Sequence, residues 1–261
     1  MRLERIGGMA AVLLVFSSLW GQALRDGKNT VMLRGQPQDV YFYPAEGTVR
    51  GTARKVLFLP GDGGWRGFAI DMAKAAAACG YDTYGWDIKR YLEGFTSGSS
   101  TLRESDVMAD SQTLAQWITQ GKSETVTLAG WSEGAGLGLL AAAAAANKHT
   151  FTGMVAIGLP EDAFLGWKWS DNITYLTKKD PDEPKFETLP YVAKVAPLPL
   201  AMIHSGQDEY ISLEAARKLF EGAAQPKRFW LIKAKNHRYD GNREDFFRAL
   251  REALEWVRAN R

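Results

Sequence analysis

Downstream of the first two dozen residues, short β-type runs alternate with helical patterns. Lys55–Leu59 (KVLFL) is a continuous apolar run, as expected of a strand covered on both faces, and Thr125–Ala129 (TVTLA) and Phe151–Ile157 read as further strands. Thr30–Leu33, Val40–Tyr43, Thr83–Trp86, Leu200–His204 and Phe229–Ile232 add further strand signals. Helical patterns fall between them. Phe68–Cys79 is rich in alanine and stopped by Gly80. Thr101–Glu104 reads as a capping box opening a helix whose stripe is Val107, Leu114, Trp117 and Ile118. An alanine-rich helix runs to about Asn147, another covers Leu213–Phe220, and a last one carries Phe246, Phe247, Leu250, Leu254 and Val257. Repeated β-then-α units predict an α/β fold, a mainly parallel sheet with helices on both faces.

One segment interrupts the alternation. After the sixth strand, residues 161–197 hold Trp167, Trp169, Tyr175, Phe186 and Tyr191 among three prolines, an aromatic-rich insertion. Two readings stand side by side: a lid or binding wall, or a surface excursion whose aromatics pack beneath it. Trp167 and Tyr175 are the substrate-contact candidates there.

The first residues carry a different pattern. Arg2 and Arg5 precede an apolar run from Met9 to Leu19, followed by Gly21-Gln22-Ala23. That is the form of a secretory signal, with residues 1–23 removed and 24–261 remaining as one domain, placed in the periplasm or outside the cell. An N-terminal anchor or a first helix of the fold are the alternatives.

Composition narrows the chemistry. With 32 basic and 30 acidic side chains the net charge is +2, and no basic run suggests nucleic-acid binding. A single cysteine, Cys79, allows no internal disulfide and excludes cysteine-based zinc or iron–sulfur sites. Only His149, His204 and His237 can supply an imidazole.

Gly130-Trp131-Ser132-Glu133-Gly134 matches G-x-S-x-G and stands between a predicted strand and a predicted helix. That placement presents a serine hydroxyl on a sharp turn. The hydroxyl needs a base, and in this arrangement acid and base follow the serine in chain order. His237 lies just past strand Phe229–Ile232 and Asp208 just past strand Leu200–His204, both at strand carboxyl ends where ligands bind in open α/β sheets. Glu209, Asp240, Glu161 and Asp162 are the competing acids. His149 falls in a surface loop and His204 in a strand. Backbone N–H groups of Glu133 and of Asp62 or Gly63, in the glycine loop after Lys55–Leu59, are the candidate oxyanion donors. No metal or other cofactor is required by this chemistry.

Together these residues resemble the α/β-hydrolase superfamily and, within it, the VirJ/AcvB family of bacterial periplasmic virulence-associated proteins. The resemblance is carried by Gly61-Asp62-Gly63-Gly64-Trp65, Gly85-Trp86-Asp87 with Arg90-Tyr91, the Ser132 motif and His237-Arg238-Tyr239-Asp240-Gly241. It covers most of the chain from about Lys55 onward. It implies a periplasmic serine hydrolase that removes the aminoacyl group from aminoacyl-phosphatidylglycerol, such as the lysyl lipid, and an association with type IV secretion. Membrane lipid headgroups and envelope secretion proteins would then be partners, and Trp65, Asp87 and Trp131 in these blocks are further substrate-contact candidates. Glu133 departs from what is expected after the nucleophile; it or Asp62 could pair with a substrate ammonium. The contrasting expectation is a non-catalytic accessory protein of an envelope assembly that keeps the fold.

Overall fold

Eight strands form the main sheet in the order β1-β2-β4-β3-β5-β6-β9-β10. The computed structural model describes residues 24–49, 51–173 and 180–261. The expected signal segment and Tyr175 therefore lie outside the described residues. In chain order the strands are β1 Gly27–Leu33, β2 Gln36–Tyr43, β3 Arg54–Leu59, β4 Tyr81–Trp86, β5 Val126–Trp131, β6 Phe151–Ile157, β9 Leu200–Ser205 and β10 Lys227–Ile232. β1 and β2 enter antiparallel, and every pair from β4 to β10 is parallel. The fold is α/β and mainly parallel, as the sequence pattern implies.

Helices cover both faces. One face packs on α1 (Phe68–Ala78) and the C-terminal α7 (Arg243–Ala259), whose Phe246, Leu250, Leu254 and Val257 point into the core. The other receives α2 (Ile88–Phe95), α3 (Glu104–Thr119) and α4 (Glu133–Ala143). The α4 residues are small because the helix lies tight on the sheet: all eleven are buried. Helix α6 (Leu213–Gly222) lies between β9 and β10 in the chain.

Three local expectations need correction. The α3 capping box does not begin at Thr101. The Leu102 N–H is taken by the Leu165 carbonyl, so the helix starts later, with Arg103 N–H donating to the Asp106 carboxylate at 2.9 Å. The alanine-rich helix ends at Ala143, short of Asn147, because the buried Asn147 amide donates to the carbonyls of Ala141 and Met108 and Lys148 Nζ donates to that of Ala142. Helix α2 is not among the elements the pattern predicts; its signals are Asp87 as N-cap and the buried triple Ile88, Tyr91 and Leu92.

The 161–197 insertion contains a two-stranded antiparallel sheet, β7 (Asp162–Phe164) with β8 (Lys185–Glu187), and a short helix α5 (Leu189–Val192). Most of its apolar residues, Trp167 and Phe186 included, join the core on the α4 side of the sheet. Trp169 and Ile173 instead face solvent, 85% and 61% exposed.

Candidate active site

Ser132 sits between β5 and α4 with φ 55° and ψ −123°, a conformation that costs a non-glycine residue about 1–3 kcal/mol. The glycines two positions away make the turn fit. A Cβ on Gly130 would lie 2.3 Å from the Gly134 carbonyl oxygen, and one on Gly134 would lie 2.2 Å from that of Leu59. The Ser132 N–H is held by the Ile157 carbonyl at 2.9 Å, and its own carbonyl accepts from Ala135 N–H at 2.8 Å. Glu133 N–H leads α4, one of the amides a helix leaves without an intrahelical acceptor.

The β3 loop closes on the same serine. A Cβ on Gly61 would come within 3.2 Å of Ser132 Cβ, and Gly64 N–H bonds back to the Gly61 carbonyl at 3.0 Å. Asp62 and Gly63 are the two residues inside that turn, next to the nucleophile.

Acid and base come together across the ends of β9 and β10. His237 Nδ1 is 2.6 Å from Asp208 Oδ2, and the Asp208 side chain is fully shielded from solvent. Its other oxygen accepts the N–H groups of Tyr210 at 3.0 Å and Ile211 at 3.1 Å. Burial alone would push this carboxyl up. The bonds and charge of His237, together with the two backbone amides, outweigh it and hold the carboxyl below its ordinary value. Gly206 N–H, bonded to the Ile232 carbonyl at 2.8 Å, ties the acid's loop to the base's strand. The histidine loop is shaped by Asn236, whose side-chain oxygen accepts from Arg238 N–H and Asp240 N–H, and by the buried Tyr239, whose hydroxyl donates to the Ile203 carbonyl.

The rival acids are engaged elsewhere. Glu209 accepts the His237 backbone N–H at 2.7 Å, Asp240 pairs with Asn236 and Arg243, Asp162 pairs with Lys185, and Glu161 faces Lys218. Of the other histidines, His149 is exposed in a turn before β6. His204 is buried inside β9, and burial lowers its pKa.

The imidazole is then placed by contacts. His237 Nε2 is buried and has no hydrogen-bond partner among the described residues. Gly158, directly after the Ile157 that binds Ser132, supports the ring: a Cβ there would lie 2.8 Å from His237 Cε1. Serine and histidine thus both abut the Ile157–Gly158 corner. Trp131 lies against the ring at 5.4 Å and 25°, and Tyr210 meets it edge-on at 5.5 Å while 71% exposed. Gly158 and Tyr210 are absent from the sequence-derived candidates. Tyr210 had a signal in its position two residues after the acid, whereas Gly158 had none beyond ending a strand.

Other candidates sit farther out. Trp65 covers Gly85 of β4, stacks on Tyr41 at 5.1 Å and donates to the Tyr43 hydroxyl at 3.3 Å. Asp87 caps α2 through Arg90 N–H and lies against Gly64; burial raises its pKa. Both brace the glycine loop from behind. Trp167 is only 2% exposed and packs within the core, with its N–H donating to Thr96 Oγ1.

The Glu133 side chain turns away from its own backbone amide and under the insertion, where Oε1 accepts the Phe164 N–H of β7. It is 6% exposed. A helix N-terminus favours a carboxylate by about 0.3–1 kcal/mol. Burial works against that, and pushes this carboxyl up to about 8; the Phe164 bond opposes the rise, and the charges of Asp62 and Asp180 add to it. Buried, turned to the Phe164 amide and with its ionised form disfavoured, the Glu133 carboxyl is badly placed as a counter-ion for a substrate ammonium.

The fold has many known counterparts at low sequence identity. Est1E from Butyrivibrio proteoclasticus superposes with a TM-score of 0.66 at 14% identity, over 90% of this chain and 100% of its own. A dienelactone hydrolase from Anabaena variabilis gives 0.61 at 16%, over 89% and 97%. An alpha-beta serine hydrolase homologue from Coxiella burnetii gives 0.62 at 15%, over 89% and 99%. No curated protein matches the sequence. The family model described as bacterial virulence protein (VirJ) matches residues 54–170, a stretch containing the glycine loop and Ser132. Over that stretch the chain is similar to the VirJ family, and as a whole it has an α/β-hydrolase fold.

Proposed function

We propose that this protein is a serine ester hydrolase working through an acyl-enzyme. The reading rests on one observation: an Asp208–His237 pair at 2.6 Å whose free imidazole nitrogen shares the Ile157–Gly158 corner with the strained Ser132. His237 Nε2 takes the Ser132 hydroxyl proton as Oγ attacks the ester carbonyl. Glu133 N–H, with Asp62 or Gly63 N–H, receives the oxyanion. Nε2 returns the proton to the leaving alcohol, leaving acyl-Ser132. Water, deprotonated by the same nitrogen, then releases the acid. Asp208 keeps Nδ1 protonated and steadies the imidazolium.

The substrate we propose is an aminoacyl ester of a membrane lipid, such as lysyl-phosphatidylglycerol, met in the periplasm. Support comes from the VirJ match and from an acidic residue, Asp62, in the loop whose Gly61 abuts Ser132, a composition suited to a cationic acyl group. Exposed Trp169 and Ile173 on the insertion suit approach to a lipid surface.

A fluorophosphonate probe should label the wild type and fail to label Ser132→Ala. Lysyl-lipid turnover in vesicles should vanish with the same substitution, a loss of about 10⁴-fold or more. No labelling of wild type, or equal labelling of both, would turn the assignment to a non-catalytic envelope protein. Labelling without lipid turnover would keep the hydrolase and reject the substrate.

A further inference from the structure

Directly after Ser132 stands a buried ionisable group that the triad does not use. Glu133 follows the nucleophile directly, yet its carboxyl serves neither serine nor histidine. It reaches the other way, to the Phe164 N–H of β7. The insertion rests on this part of α4: a Cβ on Gly136 would lie 2.4 Å from Ala163 Cβ. Behind β7, Thr188 ties the returning chain by donating its hydroxyl to the Pro160 carbonyl at 2.6 Å. One carboxyl therefore joins the insertion to the turn that carries the nucleophile.

We propose that Glu133 is a positioning residue: its neutral carboxyl fastens β7 to the first turn of α4, and ionisation of that carboxyl loosens the fastening and slows turnover. A neutral acid can accept the Phe164 amide without a charge having to be solvated. An ionised one would be a buried anion, which draws in water or moves.

Among the described residues, the charged groups that act on this carboxyl are themselves acidic. From the β3 loop comes Asp62 and from the insertion Asp180, both acidic. The Asp162 carboxylate on β7 is held by Lys185, the cation that also faces Asp180. On α3, Glu104 bonds the Tyr191 hydroxyl, and α4 carries no charged side chain besides Glu133. β5 and β6, packed beneath α4, carry none either. Burial above all, with the charges of Asp62 and Asp180 adding to it, pushes the carboxyl up to about 8, so its ionisation falls within an ordinary alkaline titration.

The amide substitution separates hydrogen bonding from ionisation. Glu133→Gln keeps an oxygen acceptor for Phe164 and cannot ionise. The measured quantity is the ratio of kcat/KM at pH 9 to that at pH 7 on a soluble ester, taken within each protein. At pH 9 only about one wild-type molecule in ten keeps the neutral acid, so the wild-type ratio should fall about tenfold while that of Glu133→Gln stays within about twofold. Glu133→Ala, lacking the acceptor, should exchange the Phe164 amide faster than wild type at both pH values.

The rate comparison rests on the hydrolase assignment; the exchange comparison does not. In wild type, protection of the Phe164 amide, corrected for the intrinsic pH dependence of exchange, should drop between pH 7 and pH 9, and in Glu133→Gln it should hold. Equal pH ratios in wild type and Glu133→Gln, or equal Phe164 protection in all three proteins, would overturn the proposal. A wild type inert toward esters and toward fluorophosphonate would sink the hydrolase assignment alone, and the exchange result would still decide the role of Glu133.

Discussion

A methyl group at Gly158 would lie 2.8 Å from Cε1 of His237, and the residue's φ of +53° is one that side chains rarely adopt. Gly158→Ala should therefore displace the imidazole as well as strain the backbone. We expect a loss of stability of about 1–2 kcal/mol, read from urea unfolding, with a rate loss of about 10²-fold. A rate loss no larger than a Gly→Ala change at the exposed turn residue Gly35 produces would remove Gly158 from the site. Asp208 allows a sharper test. Its folded-state carboxyl lies below the ordinary value, so the stability it contributes is present above about pH 4 and is lost as pH falls through the lowered value. The stability gap between wild type and Asp208→Asn should be clear at pH 7 and narrow at pH 3. The rate of Asp208→Asn should be down about 10⁴-fold at pH 7. Ser132, Asp208 and His237 could be singled out in the sequence because chain order and strand ends restrict the choice. The tight packing at Gly158 could not, since it depends on which strand ends abut.

Among elements, those most readable in the sequence are the ones whose pattern is set by burial on both faces. β3, β5 and β6 are apolar for most of their length because helices cover the sheet on each side. The ends were harder. Six consecutive alanines promise a helix through residue 146, since alanine has the highest helix propensity. Tertiary bonding overrides that: Asn147, 1% exposed, spends its amide on the Ala141 and Met108 carbonyls, and the chain turns into β6. Replacing Asn147 by leucine leaves two buried acceptors unpaired and should cost about 1–3 kcal/mol in chemical denaturation. An unchanged midpoint would mean that the α4 terminus is held by Lys148 alone. The start of α3 follows the same logic, because the Leu102 amide belongs to the insertion rather than to a helix. No local pattern could announce a bond to Leu165.

For the whole molecule, the sheet follows from repeated β-then-α units, while the place of β4 between β2 and β3 comes from the antiparallel entry of β1 and β2. The insertion is where composition alone was ambiguous. Trp167 and Phe186 pack into the core, as a folded excursion requires, whereas Trp169 and Ile173 stay in water on the same stretch of chain. Exposing a tryptophan and an isoleucine together serves no packing purpose, and aromatic and branched side chains are the ones that settle at a membrane interface. Among the described residues, the neighbouring Lys168 is already committed to Glu183. If the substrate is reached at a bilayer, the exposed pair should matter for a lipid ester and not for a dissolved one. Replacing Trp169 and Ile173 by serine should shift the unfolding free energy by no more than about 0.5 kcal/mol, as for most surface changes. The ratio of vesicle-borne to soluble ester turnover should fall by about fivefold to tenfold, from the loss of about 1.0–1.4 kcal/mol of interfacial binding. A ratio unmoved by the double substitution would detach the insertion from the membrane and leave it as a wall of the cleft.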